Sequence, residues 1–133
     1  MLKLEIVTPE KRVLDAEVDS VTVPTATGEA GILQSHAPLI SALKPGVLTY
    51  AVKGNTDKLA ISGGFVEVNS DMVSVLVDSA EAPNEIDIAA AKSDMDAAEK
   101  AIAAAGTMSA DEAAGSRDAL EHAAARLRIA GGK

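Results

Sequence analysis

One feature limits what this 133-residue chain can fold into more than any other: its hydrophobic period changes near Pro83. Up to about residue 80 the period is two. Leu2, Leu4 and Ile6 alternate with Lys3 and Glu5, Val21 and Val23 flank Thr22, and Met72–Val77 is almost all apolar or β-branched. Alternation of this kind marks strands with one buried face. Turn signals break it at Thr8-Pro9-Glu10, Lys53-Gly54-Asn55, Gly63-Gly64 and Asn69-Ser70-Asp71. Many short strands with no helix between them predict an antiparallel sandwich.

Beyond Pro83 alanine takes over, with 17 in residues 86–133 against 9 in residues 1–85. Asn84 or Asp87 suits the cap of a first helix and Gly106 its left-handed end. Ser109-Ala110-Asp111-Glu112 reads as a capping box opening a second helix, which Gly131-Gly132 ends. Ile88, Ala91, Met95, Ala98, Ile102 and Ala105 line one face of the first helix; Ala113, Leu120, Ala123, Leu127 and Ala130 line one face of the second. Two such seams joined by Gly106-Thr107-Met108 predict an antiparallel helical hairpin. The expected fold is therefore a β-sandwich domain over residues 1–83 and a C-terminal α-helical hairpin over 84–133. Large apolar side chains are few beyond Pro83, so the hairpin is expected to be held weakly and to be mobile, and a chain ending near Glu81 is expected to fold alone.

Charge and aromatic content narrow the function. The net charge is −8 and aromatic residues make up 2%, namely Tyr50 and Phe65. Phosphate-backbone binding draws on clustered Lys and Arg, and base stacking on aromatic faces, so nucleic acid is not an expected partner. With no cysteine, disulfides, thiolate metal sites and cysteine nucleophiles are excluded. The only histidines, His36 and His122, lie in different halves. No Walker A, HExxH, GxSxG or GxGxxG pattern occurs. The expectation is a non-catalytic protein without cofactor or metal. The N-terminus lacks an apolar signal-peptide core, and no run nears the roughly 20 apolar residues a membrane helix needs. A soluble, cytoplasmic chain is expected, able to dock on a membrane complex.

Gly28-Glu29-Ala30-Gly31-Ile32-Leu33, followed by His36-Ala37-Pro38-Leu39, is the most unusual stretch. Two glycines around Glu29-Ala30 suit a tight turn at positive φ. Either His36 satisfies a backbone partner at a structural corner, or the loop offers Glu29 and His36 to another protein.

Thr27–Leu33, His36–Leu39, Leu43-Lys44-Pro45-Gly46 and Gly63-Gly64-Phe65-Val66-Glu67-Val68, collinear along the chain, resemble the epsilon subunit of F-type ATP synthases. Ile6-Val7-Thr8-Pro9 and Ile86-Asp87 are similar too. The resemblance implies a stalk subunit at the cytoplasmic face of the inner membrane, peripheral to it. Its sandwich would pack on the gamma subunit and touch the c-ring, with Glu29 and His36 facing the ring, coupling proton flow to ATP synthesis. The helices of this family fold down or extend, and when extended they meet the catalytic subunits and inhibit hydrolysis. Here Arg117, Arg126, Arg128 and Lys133 are balanced by Asp111, Glu112, Asp118 and Glu121, so only a contact at the tip is expected. Some members hold ATP on the hairpin through Ile-Asp-x-x-Arg-Ala and two arginines four apart. Asp87 and Arg126 match that pattern, but Ala90 replaces one arginine and His122 another. A cap role for Asp87 and a solvated charge for Arg126 are the competing readings. Two other functions remain beside the stalk subunit: an ATP-sensing regulatory module, and a generic β-sandwich adaptor.

Overall fold

The computed structural model describes residues 2–104 and 110–130. Ten strands precede two helices: β1 Leu2–Val7, β2 Arg12–Val18, β3 Ser20–Thr25, β4 Gly28–Leu33, β5 Leu39–Leu43, β6 Gly46–Val52, β7 Asn55–Ile61, β8 Gly64–Asn69, β9 Met72–Val77 and β10 Ala80–Glu81. A 3₁₀ turn at Pro83–Glu85 leads into α1 (Ile88–Ala103), and α2 runs over Ala110–Ala130.

The strands follow one continuous path, β10-β7-β6-β3-β5-β8-β9-β1-β2, with β4 paired to β3 beside it. Its narrowest point is β3–β5, where Thr25 opposite Leu43 is the sole registered pair. There the sheet turns over into two layers, β10-β7-β6-β3-β4 and β5-β8-β9-β1-β2. Alternation decides what lies between them. Leu2, Leu4, Ile6, Val66, Val68, Val73 and Val75 from one layer are buried against Val21, Val23, Ile32, Leu48 and Ile61 from the other. Each such side chain contributes roughly 1.5–3 kcal/mol on burial, and most of the large buried side chains lie in the sandwich.

All strand pairs are antiparallel except one: β1 runs parallel to β9, with Lys3 opposite Met72 and Val7 opposite Leu76. Alternation looks the same in either direction, so the sequence predicts the sandwich and not this pairing. Two hairpin turns use paired positive φ angles, Lys53 and Gly54 between β6 and β7, and Ser70 and Asp71 between β8 and β9. That geometry matches the twist of the flanking strands.

Of the two cap candidates, Asp87 starts α1, its Oδ1 accepting the Ala90 N–H at 3.0 Å. The expected terminator Gly106, the capping box at Ser109 and the end at Gly131-Gly132 lie outside the described residues, as do Ala105 and the Gly106-Thr107-Met108 link; Ala104 caps α1. On the expected seams Ala91, Ala98 and Ala123 are buried, whereas Ile88, the first residue of α1, is 43% exposed. The helix α2 also has a second buried face that alanine spacing does not reveal. Ala125 and Ile129 pack with Ala60, Ile86 and Ala91 in a separate small core over β6 and β7.

Candidate functional site

Sequence reasoning puts Glu29 and His36 in one loop; the structure does not. Glu29 lies on β4, opposite Pro24. The reversal falls before it, at Ala26-Thr27, and is closed by the Thr25 hydroxyl donating to the Gly28 carbonyl. Gly28 supplies the positive φ, at 128°, while Gly31 sits inside the strand. Two glycines therefore do not mark one turn, because only the first uses its freedom. His36 lies past the far end of β4, so the two residues stand at opposite ends of about 13 Å of strand. Both nevertheless belong to one feature, since among the described residues β4 pairs only with β3 and leaves its other edge open.

The His36 corner is well tied. Its N–H donates to the Leu33 carbonyl at 3.1 Å. The ring Nδ1 lies 2.6 Å from the Ala37 carbonyl; since a carbonyl only accepts, Nδ1 carries the proton. The next-door Ser35 N–H donates to Asp71 Oδ1 at 2.6 Å, which pins this corner to the β8–β9 turn. Glu29 is exposed and lines a groove of about 280 Å³ with Lys44, Glu121 and Arg128, so it faces the end of α2 as well as solvent.

A second surface escapes the sequence reading. Phe65 is 59% exposed and Leu76 52% exposed. Register sets them side by side: Ala42 opposite Phe65, Phe65 opposite Leu76, and Leu76 opposite Val7. The result is an apolar row across four strands on the outer face of the sandwich. A shallow hollow of about 570 Å³ lies beside it, lined in part by Pro9 and Gly63. Ile40, 74% exposed, stands in the neighbouring row with Glu67, Ser74 and Glu5. The signal was in the alternation. Val66 and Val68 point into the core, so Phe65 must point out, and an outward aromatic in a chain with two aromatics marks a contact.

On the hairpin, Asp87 caps α1 and is exposed. Arg126 is held among carboxylates from two other elements. Its Nε lies 2.8 Å from Glu81 Oε1 of β10, and Nη1 lies 3.3 Å from Asp94 Oδ2 of α1. The Nε contact is an ion pair off the N–H axis, while Nη2 donates to Glu81 Oε2 at 3.4 Å. The Arg126 side chain is only 13% exposed, so it is a clamped charge rather than a solvated one. Asp94 is 65% exposed, and its pair contributes at most about 1 kcal/mol. Glu81, at 25%, is the stronger partner. One turn earlier on α2, His122 Nε2 lies 3.5 Å from Ser79 Oγ. Burial, and then the neighbouring Arg126 charge, pull the His122 pKa below its ordinary 6.5, against the opposing pull of Glu81 and Asp94. Its imidazole is therefore neutral at pH 7.

What this geometry offers is surface: an apolar row, an open strand edge and a clamped helix pair. These are the parts of an assembly subunit, a β-sandwich that carries helices and acts by contact. Residues 1–83 match the family described as ATP synthase, Delta/Epsilon chain, beta-sandwich domain. Along the whole chain the similarity continues. It is 44% identical over 130 residues to the ATP synthase epsilon chain of Nitratidesulfovibrio vulgaris, covering 98% of this chain and 96% of the relative. To the epsilon chain of Carboxydothermus hydrogenoformans it is 47% identical over 102 residues, 77% of this chain and 76% of the relative. Among solved structures, a chain of the Euglena gracilis mitochondrial ATP synthase, in an OSCP/F1/c-ring structure, superposes with a TM-score of 0.78 at 26% identity. That superposition covers 97% of this chain and 80% of the other. A chain of the Tetrahymena thermophila central stalk/c-ring structure shares the fold at a TM-score of 0.64 and 18% identity, covering 94% and 96%. The protein belongs to the ATP synthase epsilon-chain family.

Proposed function

We propose that this non-catalytic rotor-stalk subunit docks its Ala42–Phe65–Leu76–Val7 row on the gamma subunit, while the open β4 edge, with Glu29 and His36, meets the c-ring. The observation that carries the reading is the exposed aromatic row. An aromatic anchor desolvated at a contact typically contributes 2 kcal/mol or more, and Phe65 stands 59% exposed on the outer face. The row lies on β5, β8, β9 and β1, whereas α2 packs on β6 and β7, so the gamma contact coexists with a docked hairpin. Held between gamma and the ring, the subunit turns with both and passes the rotation driven by proton flow to the catalytic head without doing chemistry itself. It sits peripherally at the cytoplasmic face of the inner membrane; no described helix is long and apolar enough to cross a membrane.

The test uses single cysteines, clean probes in a chain that has none of its own. In the assembled enzyme, Leu76→Cys is expected to cross-link to gamma, and Glu29→Cys and His36→Cys to the c-ring loops. A silent Leu76→Cys removes the gamma assignment. Silence at both β4 positions, in a complex that assembles, removes the ring assignment.

The division at residue 83 belongs to the same reading. A chain ending at Pro83 is expected to keep the sandwich's cooperative melt and its gamma contact, since the large core lies wholly before that point. Circular dichroism and copurification check this; an unfolded fragment would make the hairpin part of the folding unit.

A further inference from the structure

The hairpin meets the sandwich through a thin contact. Its buried cluster consists of Ala60, Ile86, Ala91, Ala125 and Ile129, with alanine supplying three of the five. Small side chains bury little area, so apolar burial alone anchors α2 loosely. Into this contact is set the one clamp already described, Arg126 of α2 between Glu81 of β10 and Asp94 of α1. We propose that Glu81, Arg126 and Asp94 form a built-in latch that holds α2 on the sandwich without any bound ligand, and that His122 makes the latch yield to acid.

Geometry supports the latch. Its three members come from three elements, and the two carboxylates lie 45 and 32 residues from Arg126 in sequence. Only the docked hairpin brings all three together, so the Glu81 contact, the one that spans hairpin and sandwich, is lost when α2 lifts. The two anions sit on one cation in a partly buried place, where a charge-assisted contact counts for more than on an open surface.

Acid sensitivity follows from position. His122 precedes Arg126 by one helical turn, faces Ser79 just before β10, and is flanked by Arg126 on its own helix, Glu81 on the sandwich and Asp94 on α1. Because its docked pKa lies below the ordinary 6.5, the lifted hairpin takes up the proton first. Docking strength is therefore complete above about pH 6.5 and falls as pH drops below it, until the docked form protonates as well.

The experiment uses the full chain with a spin-label pair at Thr56→Cys on β7 and Arg117→Cys on α2, both exposed positions. At pH 7.5 a single narrow distance distribution is expected. Glu81→Gln, nearly the same shape without the charge, is expected to raise the lifted fraction roughly tenfold or more, and the exposed Asp94→Asn much less. In the Asp94→Asn background, which removes the neighbouring carboxylate, the charge swap Glu81→Arg with Arg126→Glu is expected to restore that narrow distribution, which a packing role would not do. From pH 7.5 to 5.5 the docking constant should fall by up to about tenfold, the limit for one proton over that window. In His122→Gln that fall should vanish. An unchanged distance distribution in Glu81→Gln overturns the latch; an acid response that survives His122→Gln overturns its acid sensor. Neither readout depends on the gamma or c-ring contacts.

Discussion

Replacing Gly64 by alanine is expected to destabilise the sandwich by about 3 kcal/mol or more, at or above the upper end of the ordinary cost of overpacking a core. Gly64 opens β8 opposite Val77 of β9. A methyl group there collides with the Leu76 carbonyl oxygen and comes within 2.8 Å of the Val77 Cα. These are backbone atoms of a paired strand, so no side chain can swing aside. The β8–β9 ladder has to part, and with it the row that carries Phe65 and Leu76. For a domain of this size the melting temperature should fall by roughly 12–24 °C. Gly63→Ala is the control. Its nearest neighbour is the Leu43 carbonyl oxygen at 3.4 Å, an ordinary contact, so thermal unfolding should barely move. Equal melting temperatures for the two variants would show that β8 and β9 can separate at this point without loss.

The second large effect concerns nucleotide. The purified subunit is expected not to bind Mg-ATP below millimolar concentration. A triphosphate on the hairpin needs converging permanent positive charge, which arginine supplies as a fixed fork. Ala90 removes one source, and His122 is kept neutral by burial and by Arg126. The remaining cation, Arg126, is already engaged by Glu81 and Asp94, so a phosphate would have to displace two carboxylates. Two missing charged hydrogen bonds, at roughly 1.5–3 kcal/mol each, weaken a fully equipped site by about two to four orders of magnitude. Calorimetric titration decides it, and a micromolar dissociation constant would falsify this account. Ala90→Arg combined with His122→Arg should restore measurable binding.

The residues differ in how far the sequence discloses them, for physical reasons. Strands are legible because Leu2, Leu4 and Ile6 each have to leave water on the same side, and the pattern records that directly. Asp87 is legible as a cap because a short acceptor before a helical run has few other uses. Alanine is the opposite case: it fits a buried seam and an open face equally well, so the Ala125–Ile129 contact with the sheet is invisible until α2 is placed. Glycine misleads in the same way, and Glu29 looked like a loop residue because Gly31 keeps its freedom unused. The carboxylates beside Arg126 arrive by tertiary folding, and no local pattern announces them. Phe65, by contrast, was readable, since the phase of Val66 and Val68 fixes its side.

The parallel pairing of β1 with β9 also sets a schedule. On a ribosome the first strand emerges about seventy residues before the partner it must lie beside. At roughly 5–20 residues per second, β9 follows it by several seconds, whereas a β-hairpin closes in microseconds. During that wait β1 and β2 form one of the pieces that can already close, as the β3–β4 and β6–β7 hairpins can once they emerge. The three ion pairs of the β1–β2 piece, Lys3–Asp15, Arg12–Glu5 and Arg12–Asp15, are all internal to it. They give the waiting hairpin a charged outer face and favour its register before a core exists to impose one, while the unpaired side of β1 stays open for the last long strand to be made.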